Sequence, residues 1–334
     1  MKRHNQYRLA VITCLLAFCV ILVGAYVRLS DAGLGCPDWP GCYGKMVVPV
    51  NETAVEAANR AYADRPLDQG KAWKEMVHRY LAGSLGLAIL FLAILAWHGR
   101  RHLNQPLLLP TLLLLLVVFQ AALGMWTVTL LVKPVIVTAH LLGGFATFVL
   151  LGLLVLKLRP VGSLHAFDTS RSLRRWIHFS LLVLLLQLSL GGWTSTNYAA
   201  LACSEFPTCY TGSWWPEMDF SEAFVLWRGL GVNYEFGVLD NSARTAIHMT
   251  HRIGALITAL TLGLLVWRLT RPDSAPLLRK LGLTLLLLLA LQITLGITNV
   301  LGHLPLSIAV AHNGGAALLL LLLVTLFWVS RRYE

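Results

Sequence analysis

The sequence predicts an all-α membrane protein of eight transmembrane helices, arranged as two pseudo-twofold-related four-helix bundles with both termini cytoplasmic. Three observations carry that prediction. Of the 334 residues, 57% are hydrophobic and 13% charged, a balance that belongs to integral membrane proteins rather than soluble ones. The apolar residues fall into eight runs of spanning length, since a hydrocarbon core of about 30 Å needs roughly 20 residues per helix. The chain also matches itself: Ala139-His140 returns as Ala311-His312, 172 residues on.

The first run covers 9–27. Lys2 and Arg3 precede it, as they would a signal peptide. It is long for such a segment and no clear small-x-small cleavage site accompanies it, so an uncleaved anchor is expected. Runs at 75–97, 107–130 and 135–156 complete the first half. A basic stretch at 157–175, with Pro160, Gly162, Ser163 and Asp168, joins it to the second. Runs at 176–196, 244–267, 281–300 and 308–329 follow. The predicted domains are 1–160 and 161–334. Two long loops, 29–74 and 197–243, fall on the same side.

Basic residues set the orientation. With both termini inside, 16 of the 27 Lys and Arg lie in cytoplasmic segments, against three acids (Asp168, Asp273, Glu334) of the 16. That asymmetry satisfies the positive-inside rule. The net charge of +11 is therefore a topology signal with some attraction to anionic membrane lipid, and it implies no nucleic-acid partner.

The repeat extends to polar positions. Gln120 in Phe119-Gln-Ala-Ala-Leu-Gly124 returns as Gln292 in Leu291-Gln-Ile-Thr-Leu-Gly296. Cys36-Pro-Asp-Trp-Pro-Gly-Cys42 returns as Cys203-Ser-Glu-Phe-Pro-Thr-Cys209. Four helices separate each element from its copy, and an even number preserves orientation. The repeat is thus parallel, with its axis along the membrane normal.

Of the 11 histidines, four sit at equivalent places in apolar runs: His78 and His140 in the first half, His251 and His312 in the second. An intramembrane histidine is costly and usually has a partner; a hydrogen bond to a neighbouring helix explains any single one as well, but four at equivalent places point to a ligand. Zinc would need three or four clustered ligands. Pairs of histidines from separate helices suit haem iron better, with one imidazole from each face. Arg79 and Arg252 follow the first histidine of each half and are candidates for pairing with haem propionates. Snorkelling to lipid headgroups is the alternative. Glycines at 83, 143, 144, 254, 314 and 315 would admit a flat macrocycle, although they also serve ordinary helix packing.

The repeat breaks three residues before the first histidine, where Glu75 in one half faces His248 in the other. A spacing of three sets each beside its histidine on one helix face. A carboxylate near haem can accept a proton. The first half is therefore expected to be reactive, and the second to hold a structural or electron-transfer haem. Cys14 and Cys19 read as small buried apolar residues. Cys36, Cys42, Cys203 and Cys209 are expected to form two short-loop disulfides in an oxidising compartment. Metal binding, or a redox role for Cys36 and Cys42, are the alternatives.

Taken together, Arg28-Leu-Ser-Asp-Ala-Gly-Leu-Gly-Cys36-Pro-Asp-Trp-Pro-Gly-Cys42, Glu75-Met-Val-His78-Arg79 and the repeated histidines resemble the haem A synthase family. Its members are the bacterial relatives of the mitochondrial cytochrome oxidase assembly protein, and the resemblance covers essentially the whole chain. It implies an eight-helix inner-membrane enzyme that oxidises the C8 methyl of haem O to a formyl group, giving haem A for cytochrome c oxidase. It also implies haem b between His251 and His312, substrate haem O between His78 and His140, a requirement for Glu75, and a cysteine pair at Cys36 and Cys42. The histidine sites would lie toward the periplasm. A complex with the enzyme that makes haem O, and a part in oxidase assembly, are further expectations. Two other readings use the same histidines: a di-haem b-type electron carrier, and a non-catalytic haem-delivery protein.

Overall fold

The computed structural model describes residues 3–101, 105–159 and 170–330. The expected domain boundary at 160 and 161, most of the joining stretch, and His102, His165 and Glu334 lie outside the described residues. Among the described residues there are ten helices: α1 (Arg3–Leu29), α2 (Glu52–Ala61), α3 (Gln69–His98), α4 (Leu108–Thr129), α5 (Pro134–Leu158), α6 (Arg171–Thr196), α7 (Phe220–Ala223), α8 (Asn241–Leu269), α9 (Pro276–Leu301) and α10 (Leu306–Val329). All but α2 and α7 are long and apolar enough to cross a membrane, and the helix is one of two forms that satisfies its own backbone there.

Helix starts follow local chemistry. The Asp68 carboxylate accepts the Lys71 N–H at 3.0 Å, which starts α3 six residues ahead of the apolar run expected from 75. Ser170 caps α6 in the same way. Pro134 and Pro276 open α5 and α9, where a missing N–H costs nothing. The long loops hold the two short helices, α2 capped by Asn51 and α7 by Asp219.

Helices α1, α3, α4 and α5 pack in a ring, and α6, α8, α9 and α10 pack in another. The rings meet through α1–α10, α5–α6 and α5–α10. Exchanging α1 with α6 and α5 with α10 returns the same set of contacts. Because lipid is as apolar as leucine, such contacts depend on close fit rather than on hydrophobic burial. Glycine supplies the fit at each seam. A Cβ at Gly314 of α10 would fall 2.7 Å from Leu22 of α1, one at Gly192 of α6 would fall 3.1 Å from Thr138 of α5, and one at Gly152 of α5 would overlap Leu321 of α10. Phe145, Phe148, Leu265, Leu319 and Leu323 fill the shared core. Leu87 and Leu287, 69% and 71% exposed, face outward, where lipid would cover them. Cys19 is also exposed and Cys14 only half-buried, which corrects the expectation that both are buried: α1 turns Cys19 to the outer face.

Disulfides join Cys36 to Cys42 and Cys203 to Cys209. The second long loop does not stay over its own half. Tyr234 N–H donates to Leu131 O at 3.2 Å in the α4–α5 turn, and Tyr234 is buried among Leu34, Val128 and Val132. Arg65 pairs with Glu235 at 3.7 Å across the two loops. Lys133, 2% exposed, donates to Gly229 O and lies 3.5 Å from the centre of the Trp227 ring. Among the described residues the matching α9–α10 turn has no such cover, and Leu301 and His303 there are exposed.

Candidate functional site

His78, His140, His251 and His312 all lie within the first three turns of their helices, at the end of the bundles that carries the disulfide loops. They fall into two pairs, His78 and His140 on α3 and α5 of one ring, His251 and His312 on α8 and α10 of the other. Each imidazole rests over a glycine of the neighbouring helix. A Cβ built at Gly24 would lie 2.9 Å from Cε1 of His78, and one at Gly124 would lie 3.6 Å from that of His140. At Gly191 it would lie 3.2 Å from His251, and at Gly296 3.2 Å from His312. A larger residue at Gly24 would displace the His78 ring and one at Gly191 or Gly296 would press on its histidine, whereas the contact at Gly124 is an ordinary one.

The donor set fits haem. Among the described residues no group of three or more His, Cys, Asp or Glu could hold a metal ion, so a zinc-type site is not formed. A histidine pair suffices when a macrocycle supplies the remaining four positions. Nδ1 of His78, His140 and His312 is buried with no hydrogen-bond partner among the described residues.

Glu75 sits above the first pair, 5% exposed. Its Oε2 accepts the Cys36 N–H at 2.9 Å, and Oε1 is paired with the Arg79 guanidinium. Its partner along the helix is therefore Arg79, four residues on, rather than His78. Arg79 also donates to Asp38 O at 2.9 Å, to Pro40 O at 3.2 Å and to Gly41 O. One buried ion pair thus fastens the Cys36–Cys42 loop to α3. Such a pair stands only when its remaining hydrogen-bonding groups are satisfied, and the loop carbonyls do that.

The second half repeats the design with one substitution. Cys203 N–H donates to His248 Nδ1 at 3.1 Å. Arg252 donates to Cys203 O, Glu205 O and Thr208 O at 2.8–3.1 Å. Arg252 Nε also approaches His248 Nε2 at 3.3 Å. A neutral imidazole accepts at one nitrogen only, so these two N–H groups compete for a lone pair that a carboxylate would offer twice. Both arginines, expected to meet propionates, have loop carbonyls as their partners here, because each disulfide loop turns its carbonyls inward over the helix.

Several residues passed over in the sequence prove structural to the site. Asp38 accepts Tyr43 N–H at 2.6 Å and Gly44 N–H at 2.8 Å. Glu205 does the same for Thr211 and Gly212, at 3.0 and 3.1 Å. The bond from Gly212, with those from Thr208 and Thr211, holds the Glu205 carboxyl below its usual range. Gly44 and Gly212 take φ of 73° and 72°, the left-handed region that glycine enters freely. The signal was an acid two residues after the first cysteine in both halves. Arg28 crosses between halves, donating to Ser195 O at 2.9 Å with its guanidinium 4.2 Å from the centre of the Tyr198 ring.

With that geometry in place, comparison with known proteins is informative. A family model described as cytochrome oxidase assembly protein matches residues 7–324. The chain is 51% identical to the haem A synthase of Shewanella oneidensis, over 94% of this chain and 93% of that protein. It is 30% identical to the haem A synthase of Nitrosospira multiformis, over 92% and 88%, and 26% identical to that of Alkalihalophilus pseudofirmus, over 93% and 92%. Matched along nearly its full length, the chain belongs to the cytochrome oxidase assembly protein family.

Proposed function

We propose that this chain is a haem A synthase, a membrane oxidoreductase that takes haem O as substrate and converts its C8 methyl to a formyl group. The observation that carries the reading is the difference between the two histidine pairs. One lies beneath a buried carboxylate, Glu75, and the other beneath His248. His78 and His140 hold the substrate haem, and Glu75 takes up protons released as the methyl is oxidised. His251 and His312 hold haem b, which supplies a one-electron redox centre beside the substrate site. The two bundles, 1–160 and 161–334, divide these tasks and are related by a pseudo-twofold axis.

The same reading places the chain in a bacterial inner membrane, with both termini cytoplasmic and the disulfide loops in the periplasm, where cysteines pair. Arg79 and Arg252 hold the loops over the two sites. Handover from the enzyme that makes haem O, and delivery of haem A toward oxidase assembly, suit a substrate this hydrophobic.

The test is haem extraction and mass analysis from membranes that make haem O, with and without this chain. Haem A, or a hydroxylated precursor, is expected. Haem b together with unaltered haem O, in folded protein supplied with oxygen and reductant, would mean a carrier or a delivery protein instead.

A further inference from the structure

The four imidazoles do not sit in equal surroundings. One turn before each glycine that faces a ring stand Val20, Gln120, Gln187 and Gln292, ahead of Gly24, Gly124, Gly191 and Gly296. One turn after each histidine stand Leu81, Gly143, Gly254 and Gly315, following His78, His140, His251 and His312. Glutamine and glycine therefore occur together at three histidines and at neither position for His78.

The pairs fit one another. Gln187 Nε2 lies 3.0 Å from His251 Nδ1 and donates to His251 O at 3.1 Å, and a Cβ at Gly254 would overlap its Oε1. Gln292 Nε2 donates to His312 O at 3.0 Å and lies 3.4 Å from His312 Nε2, with Gly315 beneath its Oε1. Gln120 fills the same notch over Gly143, with its amide nitrogen buried and unbonded among the described residues. At His78 the branched Val20 and Leu81 are both half-buried and bring no polar atom to the ring.

We propose that this glutamine–glycine cradle sorts the iron ligands. His140, His251 and His312 each have an amide seated against their helix, bonded to the ring at His251 and to the backbone carbonyl at His251 and His312, and His78, which has none, is the ligand that lets go when haem enters or leaves the first-half site. The inference rests on the reading that each histidine pair ligates a haem. Partners behind a ligating histidine fix its orientation, and losing one typically costs about 10–100-fold in metal affinity. A resident cofactor needs both ligands held, and the second half has two cradles. A substrate must depart, and the first half has one. Gln187 suits the task chemically. An iron-bound imidazole carries its proton on Nδ1, and rotation of the amide would turn Oε1, buried and unpartnered here, to accept it. Gln120, Gln187 and Gln292 are positioning residues, acting through the histidines.

The experiment uses full-length, haem-loaded protein: wild type, Gln187→Val, and the double variant Val20→Gln with Leu81→Gly. Haem transfer to a scavenging apoglobin, carbon monoxide binding to the reduced form, and the reduction potential are measured. Gln187→Val should release the second-half haem about tenfold more readily, admit carbon monoxide there and shift its potential. The double variant should retain first-half haem longer and exclude carbon monoxide from it. Unchanged retention, carbon monoxide access and potential in Gln187→Val overturn the inference, as does wild-type exchange in the double variant. If Gln187→Val does not fold, Gln187→Glu keeps the shape. It should lower the potential through a stronger acceptor at Nδ1, and an unchanged potential counts against the cradle. A wild-type protein without haem removes the functional reading itself. A defect in the prediction confined to the variants removes only the cradle.

Discussion

The backbone N–H of Cys36 donates to Glu75 Oε2 at 2.9 Å, tying the carboxylate of one membrane helix to a disulfide that lies 39 residues earlier in the chain. Arg79 closes the arrangement from the other side. The acid expected to do chemistry is therefore held by a loop, and its position depends on that loop being closed.

Replacing Glu75 by Gln preserves an oxygen for the Cys36 N–H while removing the base. Loss of a general base typically costs about 10²–10⁴ in rate, so haem A formation should fall to that extent while haem b stays bound. Extracted haem, assayed against the b-type absorption of the same sample, measures both. Activity near wild type would falsify the role given to Glu75.

His251→Ala or His312→Ala should each abolish the second-half b-type spectrum, because one imidazole cannot hold both faces of an iron. The disulfide loops and helix content should survive, as checked by circular dichroism. A wild-type spectrum in either variant transfers the haem to other residues.

His248→Glu should stabilise the protein by about 1 kcal/mol, since Arg252 and Cys203 N–H would no longer compete for one lone pair and both would bond an ionised acceptor. Thermal unfolding in detergent is the measurement. A lower melting temperature would mean that the imidazole is preferred for its shape or neutrality.

The Glu205 carboxyl is held below its ordinary value of 4.5, chiefly by the Gly212 N–H. A depressed carboxylate stabilises fully above its unfolded value, and that stabilisation drains as pH falls through the lower folded value. Asp219, lowered chiefly by the Ser221 hydroxyl, acts in the same direction at the start of α7. Protection against hydrogen exchange across 203–222, corrected for the intrinsic rate at each pH, should stay constant from neutral pH down to about pH 5 and fall below about pH 4. Loosening on the alkaline side instead would assign the control to other groups.

The membrane helices were legible because hydropathy and length alone determine them, and the four histidines because a polar ring in an apolar run stands out. The arginine partners were not legible. Nothing in Glu75-Met-Val-His78-Arg79 says that a loop will offer three carbonyls to one guanidinium. Gln187 was hidden for a different reason. Gly24 and Gly191 are 167 residues apart, whereas His140 and His312 are 172 apart, so one fixed offset finds Gln120 and Gln292 but aligns Gln187 with the wrong residue. Extra residues in the second long loop cause the slip. That loop's path over the other half was equally invisible, since only Lys133, basic and buried, hinted at a partner.

The cover over the α4–α5 turn has a consequence for how the molecule is made. Tyr234, Glu235 and Gly229 are synthesised some hundred residues after the helices they close. The first half, although it leaves the ribosome first, is therefore closed only by residues that follow α6. Until the later loop arrives, Lys133 has neither Gly229 nor Trp227, and the chain holds an open bundle end. The order of synthesis thus leaves the first bundle uncovered until α6 and the second long loop have followed it.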